Sequence, residues 1–486
     1  MGEIIDIELD NNKISKKGNT SSDYGRALIN SLIDEDKIVL CPGFLSGSQA
    51  PSTGRLIIGS KNNDGSILYS NIGGTIAQKL ASLNIDALII SGKNQNTYPL
   101  TIFLEEDNIK LDYIKEVKEL EISPTIEKLY SKYGDDCGIM GIGPSGENLL
   151  AISTLFTTYP RGNPEYYCAR GYMGHVFGLK NIKALVVKNK SHFNARLADP
   201  DNFNKTAKQL SQLIIDHPIC GRALPSLGSS TIMKLINEET INYEKINARE
   251  KQNLNDNINR TCSPLCVVGC LNRHVTNSEE IFSAPFDSEV DEAFEVGFGI
   301  HDRKFARNFT KKCFELGIDV MEFIFSCQMY FNLMEIKINK SSLDKAIENV
   351  RSMTLEGRVL GSTTKGIYNL FPDKDISKEM LTRPSIIEED NYRLNIPSRK
   401  GELEKFSNLE YLYSYMILLE NLGFCLFSSF AFLDDEEALD LLGKLYYYKS
   451  GEKTTGIELL EYSYQLIKNE KKIPNFVKVL YRYFKE

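Results

Sequence analysis

The sequence predicts an α+β protein, sheet-rich in its first part and mainly helical in the rest, on three observations. Short apolar, β-branched runs bounded by Gly, Asn, Asp or Pro crowd residues 1–195, the punctuation expected of strands. From about residue 196 the apolar residues fall at three-to-four spacing instead, the helical period. A polar stretch from Asp373 to Lys405 interrupts that pattern and reads as a linker or surface loop. Three parts follow, 1–195, 196–372 and 373–486, in keeping with 486 residues at roughly 100–200 per domain.

In chain order the strand-like runs are Ile4–Leu9, Ile38–Cys41, Leu56–Ile58, Ala87–Ser91, Leu100–Leu104 and Ala184–Val187. Short helical patterns at Thr75–Leu83 and Thr125–Tyr133 lie between them. The later helices are predicted over Asp201–Asp216, His301–Leu316, Ser342–Met353, Leu403–Leu422, Glu436–Tyr447 and Ile457–Asn469. Asp199-Pro200-Asp201 is a helix start, and Gly317 and Gly423 are helix ends. The apolar run Tyr415–Leu433 carries Glu420, Asn421 and Gly423 near its middle. A charge there is costly in lipid, so the run reads as a buried helix ending at Gly423, with no membrane span.

A net charge of −8 lacks the basic footprint that nucleic-acid binding needs. The opening MGEIIDIELDNN has neither the basic nor the apolar region of an export signal. The expectation is a cytoplasmic chain whose ten cysteines are reduced.

Cys262, Cys266 and Cys270 share the loop TCSPLCVVGCLNR, and Cys425 sits alone in ENLGFCLFSS. Closely spaced thiols in a reducing compartment point to metal. Three thiolates from one loop and one from afar suit a [4Fe–4S] cluster, with zinc as the alternative. Cys137, Cys168, Cys220, Cys313 and Cys327 read as buried apolar thiols. Three glycine-rich segments mark strand–helix junctions: GSQAPSTGR with SNIGG, GIGPSGEN, and ARGYMGHVFGLK. Glycine lets backbone N–H groups approach a phosphate closely, and Arg170 adds a bidentate fork. An internal echo links Glu315-Leu-Gly317-Ile318-Asp319 to Asn421-Leu-Gly423-Phe424-Cys425, each following an amphipathic helix.

Taken in order, GSQAPSTGR, SNIGG, DALIISGK, GIGPSGEN, ARGYMGHVFGLKNIKALVV, the three-cysteine loop, ELGID and NLGFC resemble the tungsten-containing aldehyde ferredoxin oxidoreductase family. The resemblance implies an N-terminal two-sheet base for two pyranopterins chelating one tungsten, followed by two mainly α-helical domains. It implies contacts to pterin phosphates or a bridging magnesium from Arg55, Asn71, Gly73, Arg170, Gly171, Met173 and Gly174. The two echo motifs would each bind one pterin, through Ile318 and Asp319 in the first and Glu420, Phe424 and Leu426 in the second. Cys262, Cys266, Cys270 and Cys425 fall on the cluster ligands. Glu289 falls near the family glutamate beside the metal and is the candidate proton shuttle. Its plain alternative is a solvated acidic helix start beside Asp287, Asp291 and Glu292.

The chain departs from the family pattern at several points. Phe314 and Glu420 stand where the motif opens with Asp, and none of the five histidines lies after His301. The activity implied is conversion of an aldehyde to a carboxylate, or the reverse, at tungsten or molybdenum. Electrons would leave singly to ferredoxin or an iron–sulfur partner subunit, and members of the family often pair as homodimers. The competing reading is a non-catalytic paralogue that binds pterin or partner subunits. No nucleic-acid or membrane partner is expected.

Overall fold

The computed structural model describes residues 2–62, 64–106, 108–160, 166–169, 171–191, 193–236, 260–271, 273–276, 280–283, 287–372, 393–468, 470 and 473–485. The α+β architecture holds, with two mixed sheets in front and long helical stretches behind. The first sheet comprises β1 (Glu3–Glu8), β2 (Lys13–Gly18), β3 (Lys37–Pro42), β4 (Leu56–Lys61), β5 (Ile67–Ile72) and β6 (Ile85–Ser91). The second comprises β7 (Leu100–Glu105), β8 (Asn108–Tyr113), β9 (Cys137–Ile142), β10 (Leu155–Thr158), β11 (Tyr166–Ala169) and β12 (Ile182–Lys188).

Their orders are β2-β1-β6-β3-β4-β5 and β8-β7-β12-β9-β10-β11. In each sheet one pair is parallel, β1 with β6 and β7 with β12. The other pairs are antiparallel. The second unit therefore repeats the first strand for strand. Helices repeat too: α1 (Gly25–Leu32) and α3 (Ile122–Tyr133) follow the second strand of each unit, while α2 (Ile76–Ser82) and α5 (Met173–Leu179) precede the last. The short α4 (Pro144–Glu147) belongs to the second unit.

Central strands read as unbroken apolar runs because both faces are covered. Between the sheets, Ile7, Leu40 and Ile58 meet Ile102, Met140 and Leu185 around α2 and α5. Leu28 and Ile29 of α1 cover the outer face of the first sheet at Val39, Ile57 and Ala87.

Beyond the sheets run α6 (Pro200–Asp216), α7 (Leu224–Leu227), α8 (Ser230–Ile236) and α9 (Asp287–Glu292). The outer face of the second sheet is covered by α3 with α10 (Arg303–Leu316), α11 (Val320–Leu333), α12 (Lys340–Arg351), α13 (Leu355–Leu360) and α14 (Thr363–Leu370). A separate helical core joins α6 to α15 (Asn408–Leu422), α16 (Ser429–Leu433), α17 (Ala438–Ser450), α18 (Gly456–Ile467) and α19 (Asn475–Phe484). Val268 of the cysteine loop packs in this second core.

Asp199 caps α6 by accepting from Asn202 N–H, with Pro200 opening the helix. Gly317 and Gly423 end α10 and α15 in the left-handed region, at φ +74° and +93°, the helix end that glycine favours. The run after Gly423 continues as a 3₁₀ turn and α16. No helix among the described residues is long and apolar enough to cross a membrane. Of the polar stretch from Asp373 to Lys405, residues 373–392 lie outside the described residues.

Candidate functional site

Both echo loops are seated on the same edge of their sheet unit, glycine against glycine. A Cβ at Gly43, just past β3, would lie 2.0 Å from the Cα of Gly423. In the second unit, one at Gly143, just past β9, would lie 2.5 Å from the carbonyl oxygen of Leu316. Backbone bonds complete each seat. Phe44 and Leu45 N–H donate to Asn421 and Leu422 at 2.9 Å each, and Arg55 N–H donates to Gly423 at 3.2 Å. Across the repeat, Thr154 N–H donates to Gly317 at 2.8 Å and Asp319 N–H to Ile152 at 3.2 Å.

One residue that pattern-reading missed ties both cysteine segments to the first sheet. Ser52 is 1% exposed and adopts φ +57°. Its N–H donates to Leu265 at 2.9 Å, its Oγ accepts from Val267 N–H at 3.1 Å, and its carbonyl accepts from Cys425 N–H at 2.8 Å. Gly74 N–H adds a bond to the carbonyl of Cys262 at 2.9 Å. Ser52→Ala removes the hydroxyl that accepts from Val267 N–H, so a loss of about 1 kcal/mol is expected in denaturant unfolding. An unchanged midpoint would mean that water replaces the hydroxyl.

Arg55 stands among the thiols. Its Nη2 donates to Cys425 Sγ at 3.3 Å, and a Cβ at Gly73 would lie 3.4 Å from Nη1 and 3.6 Å from Cys262 Sγ. The neighbouring Cys262 lowers the Cys266 thiol against the opposing effect of burial, and the backbone N–H groups of Gly269 and Val268 act in the same direction. The neighbouring Cys266, with burial, raises Cys262. Burial and the neighbouring Cys425 and Cys266 raise Cys270. Among the described residues, no three His, Cys, Asp or Glu side chains converge tightly enough to hold a metal ion. Four thiolates together would carry four negative charges against Arg55. Charges that are even partly buried need compensation, so this donor set is chemically suited to a cationic metal centre. By contrast Cys137, Cys220, Cys313 and Cys327 are buried, and Cys137 and Cys220 donate to backbone carbonyls. The side chain of Cys168 lies outside the described residues.

The other candidate residues divide by environment. Asn71 Nδ2 donates to Glu420 Oε1 at 3.1 Å, while Arg26 Nε takes Oε2 at 2.7 Å. Burial works against the Arg26 charge, but Glu420, Tyr413 and Glu470 more than offset it. At the first echo, Asp319 caps α11 by accepting from Met321 and Glu322 N–H. Ile318 and Phe314 are core residues, as is Phe424, whose ring stands edge-on to Phe432 at 5.1 Å. Leu426 packs at the margin of the helical core. Gly171 adopts φ +112° beside Ser70, and Gly174 abuts the backbone of Thr154. His175 Nδ1 lies 3.0 Å from the carbonyl of Leu149. Glu289 lies half-buried on α9, which packs against α8, α10 and α11. Arg170 and the side chain of His274 lie outside the described residues.

Glu322 also escaped sequence reading. Buried at the start of α11, it accepts from Thr364 N–H and Oγ1 at 2.8 Å each and from Tyr172 O–H at 3.2 Å. It joins α14 to the glycine loop of the second unit, much as Glu420 joins α1 to Asn71 in the first. Glu420 was legible from its place in the second echo, whereas Glu322 had no spacing signal that could find it.

Outside the thiols lies a groove of about 630 Å³ between α6 and the cysteine loop. Gln49, Asn204, Lys208, Leu265 and Cys266 line it, with no carboxylate among its lining residues. Leu265 is 36% exposed and held at φ +55°.

Residues 19–189 match the family model described as aldehyde ferredoxin oxidoreductase, N-terminal domain. The tungsten-containing aldehyde ferredoxin oxidoreductase of Pyrococcus horikoshii is 30% identical over 206 residues, 42% of this chain and 32% of the relative. That of Pyrococcus furiosus is 27% identical over 212 residues, 43% and 34% of the two chains. The match thus spans about a third of the length of these curated relatives. Among solved structures, the active site complex BamBC of benzoyl coenzyme A reductase, in complex with 1,5-dienoyl-CoA, superposes with a TM-score of 0.73. That likeness covers 96% of this chain and 87% of the other, at 13% identity, and is a likeness of fold.

Proposed function

We propose that this chain, a distant and partial homologue of the tungsten-containing aldehyde ferredoxin oxidoreductases, is an oxidoreductase that holds a pyranopterin-bound metal and a [4Fe–4S] cluster. The observation that carries the reading is that Arg55, whose Nη2 donates to Cys425 Sγ at 3.3 Å, shares one neighbourhood with the thiols of the distant cysteine loop, whose Cys262, Cys266 and Cys270 all feel its charge. Cys262, Cys266, Cys270 and Cys425 would hold the cluster. Arg55, Asn71, Gly73, Arg170 and Gly171 would hold pterin phosphates or a bridging magnesium. Bound there, the tungsten or molybdenum pterin would supply oxo-group and two-electron chemistry, and the cluster one-electron steps.

The protein's own contribution is placement. The two glycine seats fix the echo loops, and with them Ile318, Asp319, Glu420, Phe424 and Leu426, at corresponding sheet edges. Ser52 holds Cys425 in register with the cysteine loop. Arg55 offsets thiolate charge. Glu289 is the proposed proton carrier, and an aldehyde or carboxylate the proposed substrate.

Electrons would leave through Cys266 to ferredoxin or another acidic iron–sulfur partner docked in the groove at Lys208 and Leu265. In a chain of net charge −8, a groove whose described lining has a lysine and no carboxylate beside Cys266 favours an acidic partner there. Protein purified anaerobically from tungsten-fed cells is expected to carry tungsten and iron at about one to four and to reduce benzyl viologen with aldehydes. Absence of both metal and pterin would sink the reading and leave the non-catalytic paralogue. Zinc without acid-labile sulfide would favour a zinc-stabilised scaffold. Cys425→Ser is expected to alter the cluster's EPR signal, whereas Cys327→Ser is not. Lys208→Glu is expected to slow ferredoxin reduction about tenfold at low salt, with the viologen rate unchanged. Equal rates with ferredoxin would move the docking site elsewhere.

A further inference from the structure

The three loop cysteines lie within residues 261–270, and the two residues flanking this stretch are tied to each other. Leu271 N–H donates to the carbonyl of Arg260 at 3.2 Å, and Arg260 Nε donates to the carbonyl of Leu271 at 2.6 Å. Main chain and side chain of one residue thus close the neck of the loop. Arg260 Nη1 also donates to the carbonyl of Pro225 in α7. A helix leaves its last carbonyls without partners of its own, and here the guanidinium supplies one.

The same stretch reaches the other cysteine segment. A π-helical turn, Pro218–Ala223, runs directly into α7. Within it, Cys220 Sγ donates at 3.2 Å to the carbonyl of Phe427, two residues past Cys425. His217 caps the turn, its Nδ1 accepting from Ile219 N–H at 3.2 Å and Cys220 N–H at 3.3 Å. Residues 217–227 therefore hold both cysteine segments from the helical side, as Ser52 holds both from the sheet.

The guanidinium also brings charge. Its Nε bond ends on the residue next to Cys270. Burial and the neighbouring thiols raise Cys270, and both Arg55 and Arg260 act against them. Burial in turn works against the Arg260 charge, which Cys270 supports. Arginine suits the place because it joins a permanent charge to several donors in one plane.

We propose that Arg260 is a positioning residue of the thiol centre, closing the neck of the cysteine loop and setting a positive charge beside Cys270 that favours the reduced state of a cluster held there. Reduction adds negative charge, which a nearby cation stabilises. The part concerning charge rests on the iron–sulfur reading; the closure of the neck stands without it.

Two variants separate charge from closure. Arg260→Lys keeps the charge but offers one nitrogen where the guanidinium offers two. Arg260→Gln keeps an amide donor and loses the charge. Anaerobically purified full chains are compared by EPR-monitored potentiometry and by the rate at which a chelator removes iron. Arg260→Gln is expected to lower the midpoint potential by about 59 mV, a tenfold change in a one-electron equilibrium, and Arg260→Lys by much less. Iron release is expected to be about tenfold faster in both, because each gives up a hydrogen bond from a charged donor. A merely structural role would lower the melting temperature and leave the potentials equal. Equal potentials in Arg260→Gln and the wild type, or unchanged iron release in both variants, would overturn the proposal. Wild-type protein purified without iron would sink the iron–sulfur reading instead. Closure of the neck is then read by iodoacetamide labelling of the loop cysteines, expected to be faster in both variants, and unchanged labelling would overturn it.

Discussion

Adding a single methyl group at Gly43 is expected to unseat the second echo loop and, on the proposed cluster assignment, to lower the iron content of the purified protein. The new Cβ would sit 2.0 Å from Gly423 Cα and 2.6 Å from Gly423 N, so two backbones must part, with no side chain available to turn aside. Overpacking usually costs about 1–3 kcal/mol, and a clash of backbone with backbone belongs at the top of that range or above it. Gly423 lies two residues before Cys425, and Arg55 N–H bonds to its carbonyl. Displacing this glycine therefore displaces both a thiol and the cation beside it. Gly143→Ala is the matching change in the second unit, where the Cβ would meet Leu316 O at 2.5 Å. It is expected to lose comparable stability but keep its iron, because the first echo carries no cluster cysteine. Gly18→Ala, with nothing within 4 Å, is the control and should lose neither. Iron analysis and denaturant titration of the three variants read both effects. Iron loss in Gly143→Ala equal to that in Gly43→Ala would sink the assignment of Cys425 to the centre.

Exposure explains some of the strands that sequence reading passed over but not β9 and β10, which are fully buried and are short or interrupted by glycine. Ile38–Cys41, Leu56–Ile58 and Ala184–Val187 lie in the middle of their sheets, where burial on both faces makes a continuous apolar run. The missed β2, KISKKG, is an edge strand with mostly exposed side chains, and β8, NIKLDY, is the matching edge of the second sheet. Charged edge strands guard against pairing between molecules and so look like loops. The helix α11, VMEFIFSCQMYFNL, escaped for the opposite reason. It is apolar on nearly every side, so no periodicity stands out. The duplication of the sheets was legible only as the glycine echo, since topology can repeat with little repetition of sequence. At the site, the cysteine spacing announced itself. Ser52, Arg26 and Glu322 did not, because a lone polar residue gains meaning only from its partner. Arg26 and Glu420 are 394 positions apart in the chain.

That distant pair is the other place where one substitution should cost most. Arg26 and Glu420 are 11% and 7% exposed, and their 2.7 Å bond joins α1 to the end of α15. Arg26 also lies 4.5 Å over the ring of Tyr69 and pairs with Glu470 at 3.6 Å, so it anchors several elements at once. Arg26→Met keeps much of the side chain's bulk but leaves Glu420 buried with only Asn71 for company. Breaking one side of a buried pair costs about 3–5 kcal/mol, and that is the expected loss in denaturant unfolding. Glu420→Gln should cost less, because an amide oxygen still accepts from Arg26 and Asn71 can turn to accept from the new amide. The double variant is expected to recover part of the Arg26→Met loss, since the stranded charge is gone. Iron is expected to remain in all three, because Cys425 is held by Ser52 and Arg55 and not by Glu420. A loss below about 1 kcal/mol in Arg26→Met would instead mean that the pair behaves as a solvated surface contact.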